Sequence, residues 1–133
     1  MKTKINNIIR MVFGLGLLLF GLDKFFEFIP HNHVMDEDLI AAFTGLMANK
    51  FILPTVGVVE AISGLLLLTR KYSIVGLLLM VPVTYGIIAF HLAVDLEGII
   101  SGLMIAVMHI YLLSLKKSTL ISLVEYHKVE TKS

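Results

Sequence analysis

Cysteine is absent from this chain, which removes disulfides, thiolate metal sites, iron–sulfur ligation and thiol–disulfide exchange from the chemistry it could perform alone. Any redox role must borrow a cofactor or a partner. Charge is also scarce: 16% of the 133 residues are charged and 57% are hydrophobic, against about 25% and about 45–50% in soluble domains. The chain is therefore expected to fold in a bilayer rather than in water. A net charge of +1 gives no electrostatic basis for binding nucleic acid. Proline is limited to three residues; Pro54 suits the first turn of a helix, whereas Pro82 falls mid-segment, where it removes a backbone donor. No internal repeat or low-complexity segment is visible. Nor does a small-residue cleavage site follow Lys2, Lys4, Arg10 and the apolar run Met11 to Phe20, so this start reads as a retained helix rather than a signal peptide.

What the chain does have is four apolar segments, at about 8–28, 51–69, 73–93 and 99–115, each near the roughly 20 residues a spanning helix needs. The expected fold class is all-α: an integral membrane four-helix bundle over residues 1–117, followed by a cytoplasmic tail, 118–133. Between the first two spans, Leu39, Ile40, Phe43, Leu46 and Met47 recur at helical spacing behind Asp36, a suitable N-cap. This pattern predicts a short extracytoplasmic amphipathic helix over about 37–48, lying on the membrane surface. The tail either continues as an interfacial helix or frays.

Loop charges orient the bundle. With four spans, Lys2, Lys4 and Arg10, then Arg70 and Lys71, then Lys116, Lys117, Lys128 and Lys132 all fall on one side. The other side holds Lys50 with Asp36, Glu37, Asp38, Asp95 and Glu97. By the positive-inside rule both termini are cytoplasmic.

Ionisable residues inside spans are costly and mark functional-site candidates; here they are Asp23, Lys24, Glu27, Glu60, His91 and His109. Glu60 shares a helical stripe with Gly57 and Gly64, His109 with Gly98 and Gly102, and His91 with Thr84, so the interior is the expected side for all three. A rise of about 1.5 Å per residue from the outer boundary puts His91 about 3 Å deep, Lys24 about 6 Å, Asp23 about 8 Å, Tyr85 about 12 Å, Glu60 about 14 Å and His109 about 15 Å. Together they suggest a column of ligand or pocket candidates, with Glu27, Asp95 and Glu97 at an acidic extracytoplasmic mouth. Lys24 has the reach to meet Glu60. A buried ion pair that only fixes helix register is the competing reading. No metal site is expected, and a haem held by His91 and His109 fits poorly, because their depths differ by roughly 12 Å.

The same residues carry a resemblance. Arg10, "GLLLFGLDKFF" with Lys24, "VEAISGLLLLTRKYS" with Glu60 and Gly64, and "AFHL" at His91 together resemble the DoxX family of small four-helix bacterial membrane proteins, over about residues 10–115. Short members read Asn-Lys-Phe in the first helix; here Asp23 stands in the place of that Asn. The resemblance implies a multi-pass protein of the bacterial cytoplasmic (inner) membrane, associated with membrane oxidoreductase assemblies. The expected function is an accessory subunit, not a complete enzyme, with a membrane or periplasmic oxidoreductase partner and a quinone as candidate cofactor near Lys24, Glu60 and His91. A non-enzymatic assembly or binding protein is the alternative, and a small carrier the third reading. Homo-oligomerisation stays open.

Orientation can be tested directly in a cysteine-free chain. Asp36→Cys should react with a membrane-impermeant thiol reagent in intact cells, and Ser73→Cys should be protected; labelling of both would sink the four-span topology.

Overall fold

The structure is a computed structural model, and it describes residues 1–30 and 34–130. Residues 31–33 of the first loop lie outside the described residues, as do residues 131–133, which include Lys132 of the basic count. Six helices follow in order: α1 (Lys2–Phe26), α2 (Glu37–Ala48), α3 (Ile52–Leu68), α4 (Ser73–Val94), α5 (Ile99–Ser114) and α6 (Lys117–Glu130). No strand occurs among the described residues. The chain is all-α.

Helix α1 starts six residues before the apolar segment expected at about residue 8, because Lys2 to Asn7 contain nothing that stops a helix propagating. It ends where Glu27 takes a left-handed conformation, φ 48°, and donates its N–H to the Asp23 carbonyl. Asp36 caps α2 as expected, accepting the Leu39 N–H at 2.8 Å, and Glu37 and Asp38 complement the helix dipole in the first turn. Only Leu39 of α2 is fully buried; Ile40 and Met47, assigned from spacing to the same apolar stripe, are exposed. Phe43 meets Phe90 of α4 edge to face, with centroids 5.4 Å apart. Pro54 lies in the first turn of α3, and α4 runs unbroken through Pro82.

Helices α1 and α4 are each long and apolar enough to cross a membrane. Helices α3 and α5, with 17 and 16 residues, are shorter than the segments expected for them. They reach crossing length only if joined to their neighbours, α2 with α3 across an 82° bend and α5 with the start of α6 across a 62° bend. The described residues therefore contain two such helices, or up to four if each bent pair is one span.

The most extensive contact is between α1 and α3, followed by α3 with α4 and α4 with α5; a smaller contact of α5 with α1 closes the ring. Glycine is the reason the first pair sits so close. A Cβ added at Gly21 would lie 2.6 Å from the Ala61 nitrogen and 2.7 Å from the Gly57 oxygen. One added at Gly64 would lie 2.6 Å from both the Gly14 oxygen and the Leu18 nitrogen. Gly14 and Gly21 on α1 thus oppose Gly64 and Gly57 on α3, and each pair is spaced by one heptad, the repeat that keeps two helices in register. Beside this seam, Phe13, Leu17, Leu67, Leu77, Met80, Val83 and Leu112 form the apolar core.

At the opposite end of α1 from Glu27, Arg10 donates from Nη1 to the carbonyl of Leu67. That carbonyl belongs to the last turn of α3, which has no N–H of its own to bond, and a cation is favourable there.

Two measurements follow from the packing. Ser73 is 1% exposed, so a cysteine there would be protected on either side of a membrane; exposed Lys71 is the better reporter, and Lys71→Cys should resist the impermeant reagent in intact cells while Asp36→Cys reacts. Gly64→Ala should lower stability in detergent by about 1–3 kcal/mol, since backbone rather than a movable side chain meets the new methyl. Gly16→Ala, with nothing within 4 Å of the added Cβ, should be neutral or stabilising by up to about 1 kcal/mol. Equal thermal shifts for the two would refute the seam.

Candidate functional site

The polar residues expected to form one column instead form three separate stations and a cap. The first station joins α1 to α3. Lys24 Nζ donates to Glu60 Oε2 at 2.5 Å and, more weakly, to the Phe20 carbonyl at 3.4 Å. The two helices run antiparallel, with Gly21 against Gly57 and Gly14 against Gly64, so Lys24 and Glu60, each three residues beyond its seam glycine, are offset along the pair and the lysine stem spans the difference. The Glu60 side chain is 5% exposed and that of Lys24 is 25% exposed. Phe25 covers Gly57 beside them, its ring 2.9 Å from where a Cβ would stand.

The second station joins α4 to α5 in the core. His109 Nε2 lies 2.8 Å from the Leu77 carbonyl, which can only accept, so Nε2 carries the proton. In the neutral ring Nδ1 then accepts from the Thr84 hydroxyl, also at 2.8 Å. Phe13 of α1 stacks against the imidazole, with centroids 6.1 Å apart. Leu77 precedes Leu78, whose carbonyl loses its usual helical donor to Pro82. The histidine therefore bonds the same turn that the proline disturbs.

The third station is at the α4–α5 corner. His91 Nδ1 lies 2.8 Å from Asp95 Oδ2, and Asp95 Oδ1 accepts the Gly98 N–H at 3.1 Å. Gly102 makes room for the imidazole, whose Cδ2 would be 2.8 Å from a Cβ there. Two expectations are corrected here. His91 bonds Asp95 rather than Lys24 or Glu60, and Thr84, though on the same helix face as His91, bonds His109. Both groupings rested on depth and on position along one helix, and neither quantity specifies which neighbouring helix a side chain meets.

Asp23 is the cap. It is buried, and its Oδ1 accepts the Ile29 N–H at 2.6 Å while its carbonyl accepts from Glu27. It ties down the chain reversal after α1. Glu27 and Glu97 are exposed, and Tyr85 is 76% exposed on the outer face of α4. Tyr85 is therefore not a pocket residue: one helical step of about 100° from buried Thr84 turns it outward.

Two cavities in the structure lie away from the expected extracytoplasmic pocket near Glu60 and His109. Those cavities open at the other end of the bundle, near Arg10 and Lys2, while at Glu60 the glycine seam and Phe25 pack closely beside the partly exposed Lys24. Among the described residues, no group of three or more His, Asp or Glu side chains could hold a metal ion. Two features escaped the sequence reading: the Gly14–Gly21 spacing, which repeats that of Gly57–Gly64, and Ser63, wholly buried on α3 with no hydrogen-bond partner for its hydroxyl among the described residues. Comparison with known protein families, curated proteins and solved structures finds no match.

The geometry makes Lys24 and Glu60 a coupled pair. A quarter of the Lys24 side chain is exposed, so Lys24→Met or Glu60→Gln should cost somewhat less than the about 3–5 kcal/mol of a wholly buried pair. The double replacement should recover a large part of the loss. Simple additivity in thermal unfolding of all four proteins would show that the contact carries no coupling energy.

Proposed function

We propose that this chain is a DoxX-like integral membrane protein with four spans, built on α1, α3, α4 and α5, serving as a non-catalytic subunit of a larger membrane assembly. One observation carries the reading: the bundle keeps polar groups inside, beside its apolar core, and presents an apolar face outside. Glu60, Ser63, Ser73, Thr84 and His109 are buried, whereas Val58, Ile62 and Leu65 of α3, Leu78 and Val81 of α4, and Leu103, Val107 and Ile110 of α5 are exposed. In water this arrangement would leave a large apolar surface unpaid for by burial; in lipid it is the expected one. The bacterial inner membrane, with both termini cytoplasmic, is the location that fits the basic loops.

The subunit reading is supported by how the interior polar groups are used. Glu60, Thr84 and His109 are each bonded to another helix and His91 to the adjoining corner, a use that ties the fold together. A membrane oxidoreductase is the assembly we favour, on the DoxX resemblance, with electrons carried by the partner. The uneven exposure of Lys24 and Glu60 favours a second reading, in which a quinone headgroup or a proton reaches the pair from the Lys24 side.

Purification in mild detergent, followed by mass spectrometry of bound proteins and lipids, tests both. A stoichiometric protein partner, with no redox turnover by the chain alone, is the expected result. A chain that purifies alone with one quinone, lost on Lys24→Met, would replace the first reading with the second.

A further inference from the structure

We propose that the crevice at the basic end of the bundle binds a phosphate-bearing anion, and that its source is the headgroup of an anionic phospholipid. The crevice has a volume of about 170 Å³. Its polar wall is drawn from four places in the chain: Asn6, Asn7 and Arg10 from α1, Arg70 from the α3–α4 turn, Ser73 from the start of α4, and Lys116 from the α5–α6 turn. Leu77 and Leu112 form its floor. Three cations thus face one space. No carboxylate lines it, and among the described residues none forms an ion pair with Arg10, Arg70 or Lys116. Such a concentration of one sign requires a counter-charge, and a low-dielectric floor strengthens the attraction.

One of the donors is held in position. Arg10 is anchored through Nη1 to Leu67 of α3, and among the described residues the remainder of its guanidinium carries no hydrogen bond. Planar guanidinium forks suit phosphate oxygens. Helix α4, 22 residues long, begins at Ser73 with no side chain capping it. The Ser73 hydroxyl donates instead to the Arg70 carbonyl at 3.2 Å. The start of α4, at Ser73, therefore places the positive end of its dipole at the wall of a cationic crevice, an arrangement suited to anions.

What lies beside the crevice argues for a lipid over free phosphate. A second cavity, lined by Lys2, Ile5, Asn6, Tyr111 and Leu115, shares Asn6 and Leu115 with the first. It lies where α1 meets α5, the slightest of the helix contacts that close the ring. Tyr111 donates to Asn6 Oδ1 at 2.7 Å at the boundary of the two spaces. A headgroup in the crevice would leave its glycerol and acyl portion against Ile5 and Leu115, continuous with the apolar exterior of α1 and α5. A basic pocket between helices on the positively charged side of a membrane protein is suited to such headgroups.

The test uses the full chain in neutral detergent, titrated with dioleoyl-phosphatidylglycerol, dioleoyl-phosphatidylcholine or inorganic phosphate and followed by thermal shift and native mass spectrometry. Phosphatidylglycerol should raise the melting temperature and remain bound where phosphatidylcholine does not. Arg70→Gln with Lys116→Gln should weaken phosphatidylglycerol binding about tenfold or more, while Lys50→Gln, in the α2–α3 turn, should leave it unchanged. Because Arg70 is exposed and Lys116 only partly buried, the double variant should fold, and an unchanged melting temperature without lipid verifies this. Equal response to the two lipids, or undiminished binding by the double variant, would overturn the proposal. A full response to inorganic phosphate alone would overturn the lipid as source.

Discussion

Everything in this bundle depends on how closely α1 approaches α3. Two glycines on each helix, one heptad apart, remove the side chains that would otherwise separate the backbones. In a membrane, where lipid tails compete equally well for apolar side chains, such close packing is a main source of helix association. The glycine seam also determines the rest of the site. It sets the register in which Lys24 and Glu60, offset along the antiparallel pair, come within the reach of a lysine stem. The Arg10 tie to the end of α3 lies at the other end of the same contact.

The polar interior follows from the same economy. A buried hydroxyl, imidazole or carboxylate without a partner is costly in a dry bundle, and Glu60, Thr84 and His109 each have one. Their partners lie on different helices, so each bond ties two helices together. His109 links α5 to α4 twice, through Thr84 and Leu77, in the region where Pro82 leaves the helix one bond short. The chain concentrates its polar bonds where packing alone is least specific.

Much of this was legible in the sequence. The helix bounds near 52, 73 and 99 followed from apolar length and breaker residues, and the Asp36 cap from its place before an amphipathic run. The Lys24–Glu60 contact followed from a lysine's reach. The role of Asp23 did not, because it depends on Glu27 adopting a left-handed conformation, which neither residue's identity announces. The column through His91 and Tyr85 was misjudged because depth was counted along each helix while the rotation of one helix against another was left open. Gly14 and Gly21 were visible as residues but acquire meaning only opposite Gly64 and Gly57. Arg70 and Lys116 were counted for topology alone, since nothing in their order places them around one crevice.

The position of the two ties along α1 has a consequence for the α1–α3 pair. Lys24 with Glu60 and Arg10 with Leu67 hold opposite ends of one helix pair, and all four residues, with all four seam glycines, lie within the first 67 residues. A hairpin made of α1 and α3 therefore contains its own register-setting contacts, none of which needs a residue of α4 or α5.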